Sequence, residues 1–160
     1  MIFRKIQAND NAEIAAVIRQ VFMDNDLPKT GTAFADKHLD SLFEIYNKPK
    51  SVYYVLINDD KIIGGCGVAP LDNCSENICE LQKMYFLPAA RGIGMGAKMM
   101  KLCLQEATEF GFDSCYLETL PVMIDAQKLY KKVGFTYLDN PLGNTGHSTC
   151  PIWMLKNLQV

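Results

Sequence analysis

The sequence lacks the histidines and the paired cysteine spacing that build metal centres. Its only histidines are His38 and His147, and none of the six cysteines (Cys66, Cys74, Cys79, Cys103, Cys115 and Cys150) belongs to a C-x-x-C pair. A zinc site of ordinary ligand spacing is not expected, and the cysteines read as free thiols, several of them in the core. Charge of one sign is scarce too: 16 Lys+Arg against 18 Asp+Glu leave a formal net charge of -2. Such a balance draws neither nucleic acid nor an anionic membrane, so neither is expected as a partner. Uninterrupted apolar runs stop far short of the ~20 residues that a membrane span needs. Met1–Ile6 alternates and then gives way to polar residues, unlike a signal peptide, so the cytoplasm is the default expectation. No repeat, low-complexity tract or linker divides the 160 residues, a length that suits one domain spanning 1–160.

Periodicity supplies the elements. Residues 2–7 read as a strand. Residues 10–23 read as a helix, with Ile14, Val17, Ile18, Val21 and Phe22 on one face and Asp10-x-x-Glu13 resembling a capping box. A second helix is expected after Asp36, burying Leu39, Leu42, Phe43 and Tyr46. The runs 51–58 and 61–69, joined by Asn58-Asp59-Asp60, signal a hairpin. A third run, 78–87, stops at Pro88. Helical period resumes from Gly92 to Phe110, and Gly111 ends it. A strand at 114–119, a helix face of Met123, Ala126, Leu129, Tyr130 and Val133, and strands at 135–138 and 151–157 complete the chain. The order β-α-α-β-β-β-α-β-α-β-β predicts a mixed α/β fold in which the hairpin is antiparallel and 78–119 makes a parallel step.

The chemistry concentrates in Arg91-Gly92-Ile93-Gly94-Met95-Gly96, where a strand turns into a long helix. A helix start leaves backbone N–H groups without intrahelical partners, the helix dipole favours an anion there, and glycine admits close approach. These features describe a diphosphate cradle. Gly92-x-Gly94-x-x-Ala97 formally satisfies the dinucleotide fingerprint of Rossmann folds. In that fold, however, the glycines follow a buried apolar strand almost directly. Here Leu87–Arg91 intervenes, and the preceding strand carries Glu80, Gln82 and Lys83.

Met84-Tyr85-Phe86-Leu87-Pro88-Ala89-Ala90-Arg91-Gly92-Ile93-Gly94-Met95-Gly96 closely resembles the acetyl-CoA signature of the GNAT superfamily of N-acetyltransferases. Ala126-x-x-Leu129-Tyr130-x-Lys132-x-Gly134-Phe135 resembles the second motif of that family, and the element order is also the family's. The resemblance implies a GNAT fold, a central twisted mixed sheet of about seven strands flanked by about four helices. It implies an acetyl-CoA-dependent N-acetyltransferase acting on a primary amine. As cofactor-binding residues it implies Met84, Tyr85, Phe86, Arg91, Gly92, Ile93, Gly94, Met95, Gly96, Ala97, Ala126 and Tyr130, with no metal. The backbone of Met84 and Phe86 would pair with the pantetheine arm, and the N–H groups of Gly92 through Ala97 would hold the diphosphate. Many relatives carry Asn where this chain has Met123, so no side-chain contact to the cofactor is expected from that position.

Acetyl transfer to an amine needs a base for the ammonium, a donor where charge develops on the carbonyl oxygen, and an acid for the departing thiolate. Under the resemblance the Met84 N–H is the candidate oxyanion donor and Tyr130 the candidate acid. Glu80 is the candidate base, since its strand parity would set it on the same face as Gln82, Met84 and Phe86; Glu118 stands in reserve. His147, in the polar loop Pro141–Cys150, is a second base, a substrate ligand or a plain turn residue. Cys150 is a weaker candidate nucleophile, because direct attack needs no acyl-enzyme. The expected acceptor is a small molecule. The alternatives are a protein lysine or N-terminus, or a domain that binds acetyl-CoA without turnover. Many relatives are dimers, which leaves a homodimer open.

Overall fold

The computed structural model describes residues 1–159. The elements run β1 (Ile2–Lys5), α1 (Asn11–Asp24), α2 (Leu42–Tyr46), β2 (Val52–Asn58), β3 (Lys61–Pro70), β4 (Ile78–Phe86), α3 (Met95–Glu109), β5 (Ser114–Thr119), α4 (Ile124–Val133), β6 (Thr136–Leu138) and β7 (Ile152–Asn157), in the order expected. Seven strands form one mixed sheet ordered β1-β2-β3-β4-β5-β7-β6. All neighbours pair antiparallel except β4 and β5, which α3 joins as the parallel step. The β2–β3 turn puts Asp59 and Asp60 at φ 48° and 61°, the left-handed pair that a tight hairpin of native twist requires. Among the described residues no helix is long and apolar enough to cross a membrane.

Each face of the sheet carries a core. Met99, Met100, Cys103 and Leu104 of α3 pack on Leu56, Val68, Cys79 and Leu81, joined there by Ala126 and Leu129 of α4. On the other face Ile14, Ile18 and Phe22 of α1 and Leu42 and Tyr46 of α2 cover Tyr53 and Val55. All six cysteines are free, and all but Cys74 are buried.

Two local expectations are corrected. The capping box lies one turn earlier than Asp10-x-x-Glu13: the Gln7 N–H donates to Asp10 Oδ2 at 2.7 Å, and Arg4 clamps the same carboxylate at 2.6 and 2.9 Å. Glu13 instead accepts from the Ile62 N–H across the sheet at 2.8 Å. The second helix is also shorter than its apolar spacing suggested. Leu39 is buried, but from a separate 3-10 turn at Leu39–Ser41, and α2 itself has only five residues.

Two irregularities of β4 create the site. First, β4 pairs with β5 only from Ile78–Glu80 to Ser114–Tyr116, and beyond Glu80 the two strands separate. β5 keeps its pairing with β7 along its whole length, so the sheet opens at the C-terminal end of the parallel pair. Second, the register with β3 jumps from Gly67↔Gln82 to Gly65↔Tyr85, so Lys83 and Met84 stand opposite Cys66 alone. This is a β-bulge, with Lys83 at φ 50°. A left-handed non-glycine residue costs roughly 1–2 kcal/mol. The Tyr53 hydroxyl offsets part of it by donating to the Lys83 carbonyl at 2.8 Å. Gly65 and Gly67 make room for that ring, since a Cβ on either would lie 2.5 or 2.7 Å from it.

Candidate active site

The bulge reverses side-chain parity along β4, which corrects the expectation that Glu80, Gln82, Met84 and Phe86 share a face. Glu80 and Gln82 face the α1–α2 layer, where the Gln82 amide meets Tyr46. Met84 and Phe86 face the α3–α4 layer and approach the position of a Cβ on Gly96 to 3.4 and 3.8 Å. One strand thus serves both sides of the opening. Tyr85 lies on the Glu80 side, its ring packed against Phe22 at 5.2 Å.

Where β4 and β5 part, a cavity of about 50 Å³ is enclosed by residues that include Glu80, Met84, Glu118, Met123, Tyr130, His147 and Cys150. Glu80 is only 5% exposed. Burial pushes its carboxyl up to about 7, against the opposing hydrogen bond from Gln82 and the charges of His147 and Lys83. Gln82 Nε2 donates to Oε2 at 2.6 Å, while Oε1 has no protein donor among the described residues. Glu118 differs. Tyr116 donates to its Oε1 at 2.8 Å and Thr145 to its Oε2 at 3.0 Å, so both oxygens are engaged. Of the two carboxylates, Glu80 alone has an oxygen free of protein partners.

Tyr130 comes from α4 on the opposite wall. Burial raises its hydroxyl well above the ordinary range, so it keeps its proton, and no protein hydrogen bond engages it among the described residues. Cys150 is pushed up to about 12, chiefly by burial, and so stays a thiol, a poor nucleophile.

His147 is no plain turn residue. Its Nε2 lies 2.8 Å from Asp36 Oδ1, and Lys83 Nζ lies 2.8 Å from Asp36 Oδ2. Burial opposes the imidazolium, but the hydrogen bond and charge of Asp36 outweigh it and the His147 pKa is raised. Burial also opposes the Asp36 carboxylate, and His147 and Lys83 bring its pKa below the usual range. One carboxylate therefore ties the α1–α2 connection, the bulge and the 141–150 loop together. Thr149 adds to the roof: its hydroxyl donates to the Thr30 carbonyl at 2.9 Å and its N–H to the Gly31 carbonyl at 3.2 Å. With its ring nitrogen committed to Asp36, His147 joins a cluster that shapes the cavity wall. Sequence reasoning passed over Asp36, which carried no local signal.

The glycine turn lies at the N-terminus of α3. Gly92 and Gly94 adopt φ 72° and 81°, and a Cβ on either would meet nothing within 4 Å. The Lys98 N–H makes an early helical bond of 3.2 Å to the Gly94 carbonyl, so the N–H groups just before it have no intrahelical acceptor. Ile93 is 54% exposed, whereas a Cβ on Gly96 would lie 3.3 Å from the Leu129 side chain. Arg91 folds back, its Nε donating to the Phe86 carbonyl at 2.9 Å, which fixes the turn to the end of β4. Left-handed glycines, open space and unpaired donors at a helix start fit a diphosphate.

The sequence profile of the acetyltransferase (GNAT) family matches residues 18–135, which contain both motifs and the whole opening. The chain belongs to that family. It is similar to the uncharacterized N-acetyltransferase YjgM of Escherichia coli (strain K12), with 42% identity over 158 residues, 98% of this chain and 95% of that one. In fold it is similar to a GNAT acetyltransferase from Staphylococcus aureus Mu50, with TM-score 0.85 and 21% identity over 99% of both chains. It is also similar to an aminoglycoside 6'-N-acetyltransferase complexed with coenzyme A, with TM-score 0.71 and 16% identity over 100% of this chain and 98% of that one. The GNAT member described here is thus an acetyl-CoA-dependent N-acetyltransferase.

Proposed function

We propose that this acetyltransferase acetylates a primary amine on a small molecule by direct attack, with Glu80 as base, the Met84 N–H as oxyanion donor and Tyr130 as acid. The observation that carries the reading is the meeting of Glu80, Met84 and Tyr130 around one cavity of about 50 Å³ at the strand opening. Acetyl-CoA supplies the activated acetyl thioester. The N–H groups of Gly92–Ala97 hold its diphosphate, Arg91 fixes the turn, and the backbone of Met84–Phe86 and the wall formed by Ala126 border its arm.

An amine of ordinary basicity arrives as an ammonium, with a pKa of about 10. A carboxyl near 7 can take that proton around neutral pH, and Glu80 has Oε1 free to receive it. Met84 lies in the bulge and lines the cavity, and its N–H is the donor assigned to the oxygen on which charge develops. Tyr130 holds its phenolic proton on the far wall until a thiolate needs it. Asp36, His147 and Thr149 tie the 141–150 loop down beside the cavity.

The small, roofed cavity favours a small-molecule acceptor over a protein tail, which needs an open groove. A non-catalytic sensor has no use for a free buried carboxylate facing a free tyrosine hydroxyl. The test is thiol release from acetyl-CoA against a panel of amines, amino acids, polyamines, aminoglycosides and short peptides. Turnover with a small amine supports the reading. Turnover with peptides alone refutes the acceptor class, and tight acetyl-CoA binding with no turnover favours the sensor.

A further inference from the structure

Glu80 receives its one protein hydrogen bond from a residue that is itself held from behind. Gln82 Nε2 donates to Glu80 Oε2 at 2.6 Å, and Gln82 Oε1 accepts from the Tyr46 hydroxyl at 2.6 Å. Tyr46 is only 3% exposed, and its ring packs against Tyr53 at 5.0 Å. Gly67 lies beneath it, where a Cβ would come within 2.9 Å of the Tyr46 ring. The chain runs from α2, outside the strand opening, to the carboxylate inside the cavity.

An ionised carboxylate only accepts hydrogen bonds. For Glu80 to serve as a base, the Gln82 amide must present its NH2 group to it, which leaves Oε1 needing a donor in a buried place. Tyr46 is that donor, and burial keeps its hydroxyl protonated. With the opposite amide orientation, Gln82 would offer its oxygen to Glu80 and favour the protonated acid. We propose that Tyr46 and Gln82 are positioning residues for acetyl transfer, a two-link hydrogen-bond chain that holds the amide of Gln82 in the orientation serving the ionised Glu80 and leaves Glu80 Oε1 free for the acceptor. The inference rests on the reading of Glu80 as the base.

The chain acts in a charged setting. Glu118 and Tyr116 from β5, His147 and Cys150 from the 141–150 loop, Tyr46 from α2, and Lys83 and Tyr85 from its own strand all influence or are influenced by Glu80. None of them except Tyr46 bonds to Gln82, so removing the Tyr46 hydroxyl or the Gln82 amide perturbs this link alone.

The experiment is a carbon-13 NMR titration of the Glu80 carboxyl, assigned by its loss in Glu80→Gln, in wild type, Tyr46→Phe and Gln82→Met. It is paired with kcat–pH profiles on the amine found by thiol release. Losing the donor itself in Gln82→Met, or the hydroxyl that holds its orientation in Tyr46→Phe, raises the titration midpoint, by about one pH unit where the donor is lost outright. The acidic limb of kcat moves up with it, kcat at pH 7 falls about fivefold, and acetyl-CoA affinity is unchanged. Each single variant strands the other partner of the Tyr46–Gln82 bond, so the double variant Tyr46→Phe with Gln82→Met, which removes both, carries the test if a single variant loses thermal stability. A midpoint and limb unmoved in folded variants overturn the positioning role while leaving Glu80 as base. A midpoint that moves without the kcat limb refutes Glu80 as the base, and the positioning role falls with it.

Discussion

Replacing Glu80 by Gln should make the protein more stable and less active, and the stability gain should depend on pH in a defined way. Folding holds the Glu80 carboxyl at about 7 instead of the ordinary 4.5, mainly through burial. Below pH 4.5 both folded and unfolded chains are protonated at this group. Between 4.5 and 7 the unfolded chain releases the proton while the folded chain keeps it, so stability falls as pH rises. Above 7 both are ionised and the loss is complete. At about 1.4 kcal/mol per pH unit the loss sums to roughly 3 kcal/mol. Glutamine resembles the protonated acid and does not titrate. The variant should therefore match wild type near pH 4.5 and exceed it by about 3 kcal/mol at pH 8. At about 2–4 °C per kcal/mol for a chain of this size, that is a rise in Tm of roughly 6–12 °C. Guanidinium unfolding at several pH values reads the difference without knowledge of the acceptor. Parallel stability curves for the two proteins would show that Glu80 is not held protonated by the fold, and the case for it as a neutral-pH base would lapse.

Tyr130→Phe should lower kcat about 10- to 1000-fold with acetyl-CoA affinity unchanged by calorimetry, and an unaltered rate removes Tyr130 as acid. Gly94→Val should fold, because a Cβ there meets no protein atom, with a backbone strain of about 1–2 kcal/mol at φ 81°. It should nevertheless lose acetyl-CoA binding, and normal affinity would overturn the diphosphate cradle. Cys150→Ser should keep most activity, since a thiol pushed up to about 12 is not a nucleophile near neutral pH; abolished turnover in a folded variant would reopen covalent catalysis.

The element order was legible because each strand and helix carries its own periodicity. Ser114–Thr119 matches its expected bounds, and Gly134, at φ 105°, ends α4 as its position suggested. What escaped the sequence depends on partners distant in the chain. The Lys83 bulge has no local marker: lysine rarely adopts φ 50°, and the space that permits the bulge comes from Gly65 and Gly67 on another strand. Missing it inverted the inferred facing of Met84 and Phe86, although Glu80 and Gln82 were paired correctly. Asp10-x-x-Glu13 misled in the same way, since Glu13 is committed to Ile62, 49 residues away. His147 was left between base, substrate ligand and turn residue because Asp36, which holds it, lies 111 residues earlier. Tyr46 was read only as a core residue, and its hydroxyl gave no sign of Gln82. The glycine turn was the opposite case, as its chemistry is local and its spacing alone describes an anion site.

The separation of β4 from β5 has a mechanical meaning. In most sheets the outermost strands are the vulnerable ones, because their backbone groups lack neighbours on one side. Here a stretch with unmet backbone pairing lies in the middle of the sheet, between Glu80 and Phe86 on one strand and beyond Tyr116 on the other. The free margins of the two strands thus face each other across a slot that begins where Ile78–Glu80 leaves Ser114–Tyr116, while the core beneath α3 spans both sides of it. A ligand carrying amides of its own could bridge that slot as a strand would, so binding would join the two strands as well as supply a reactant.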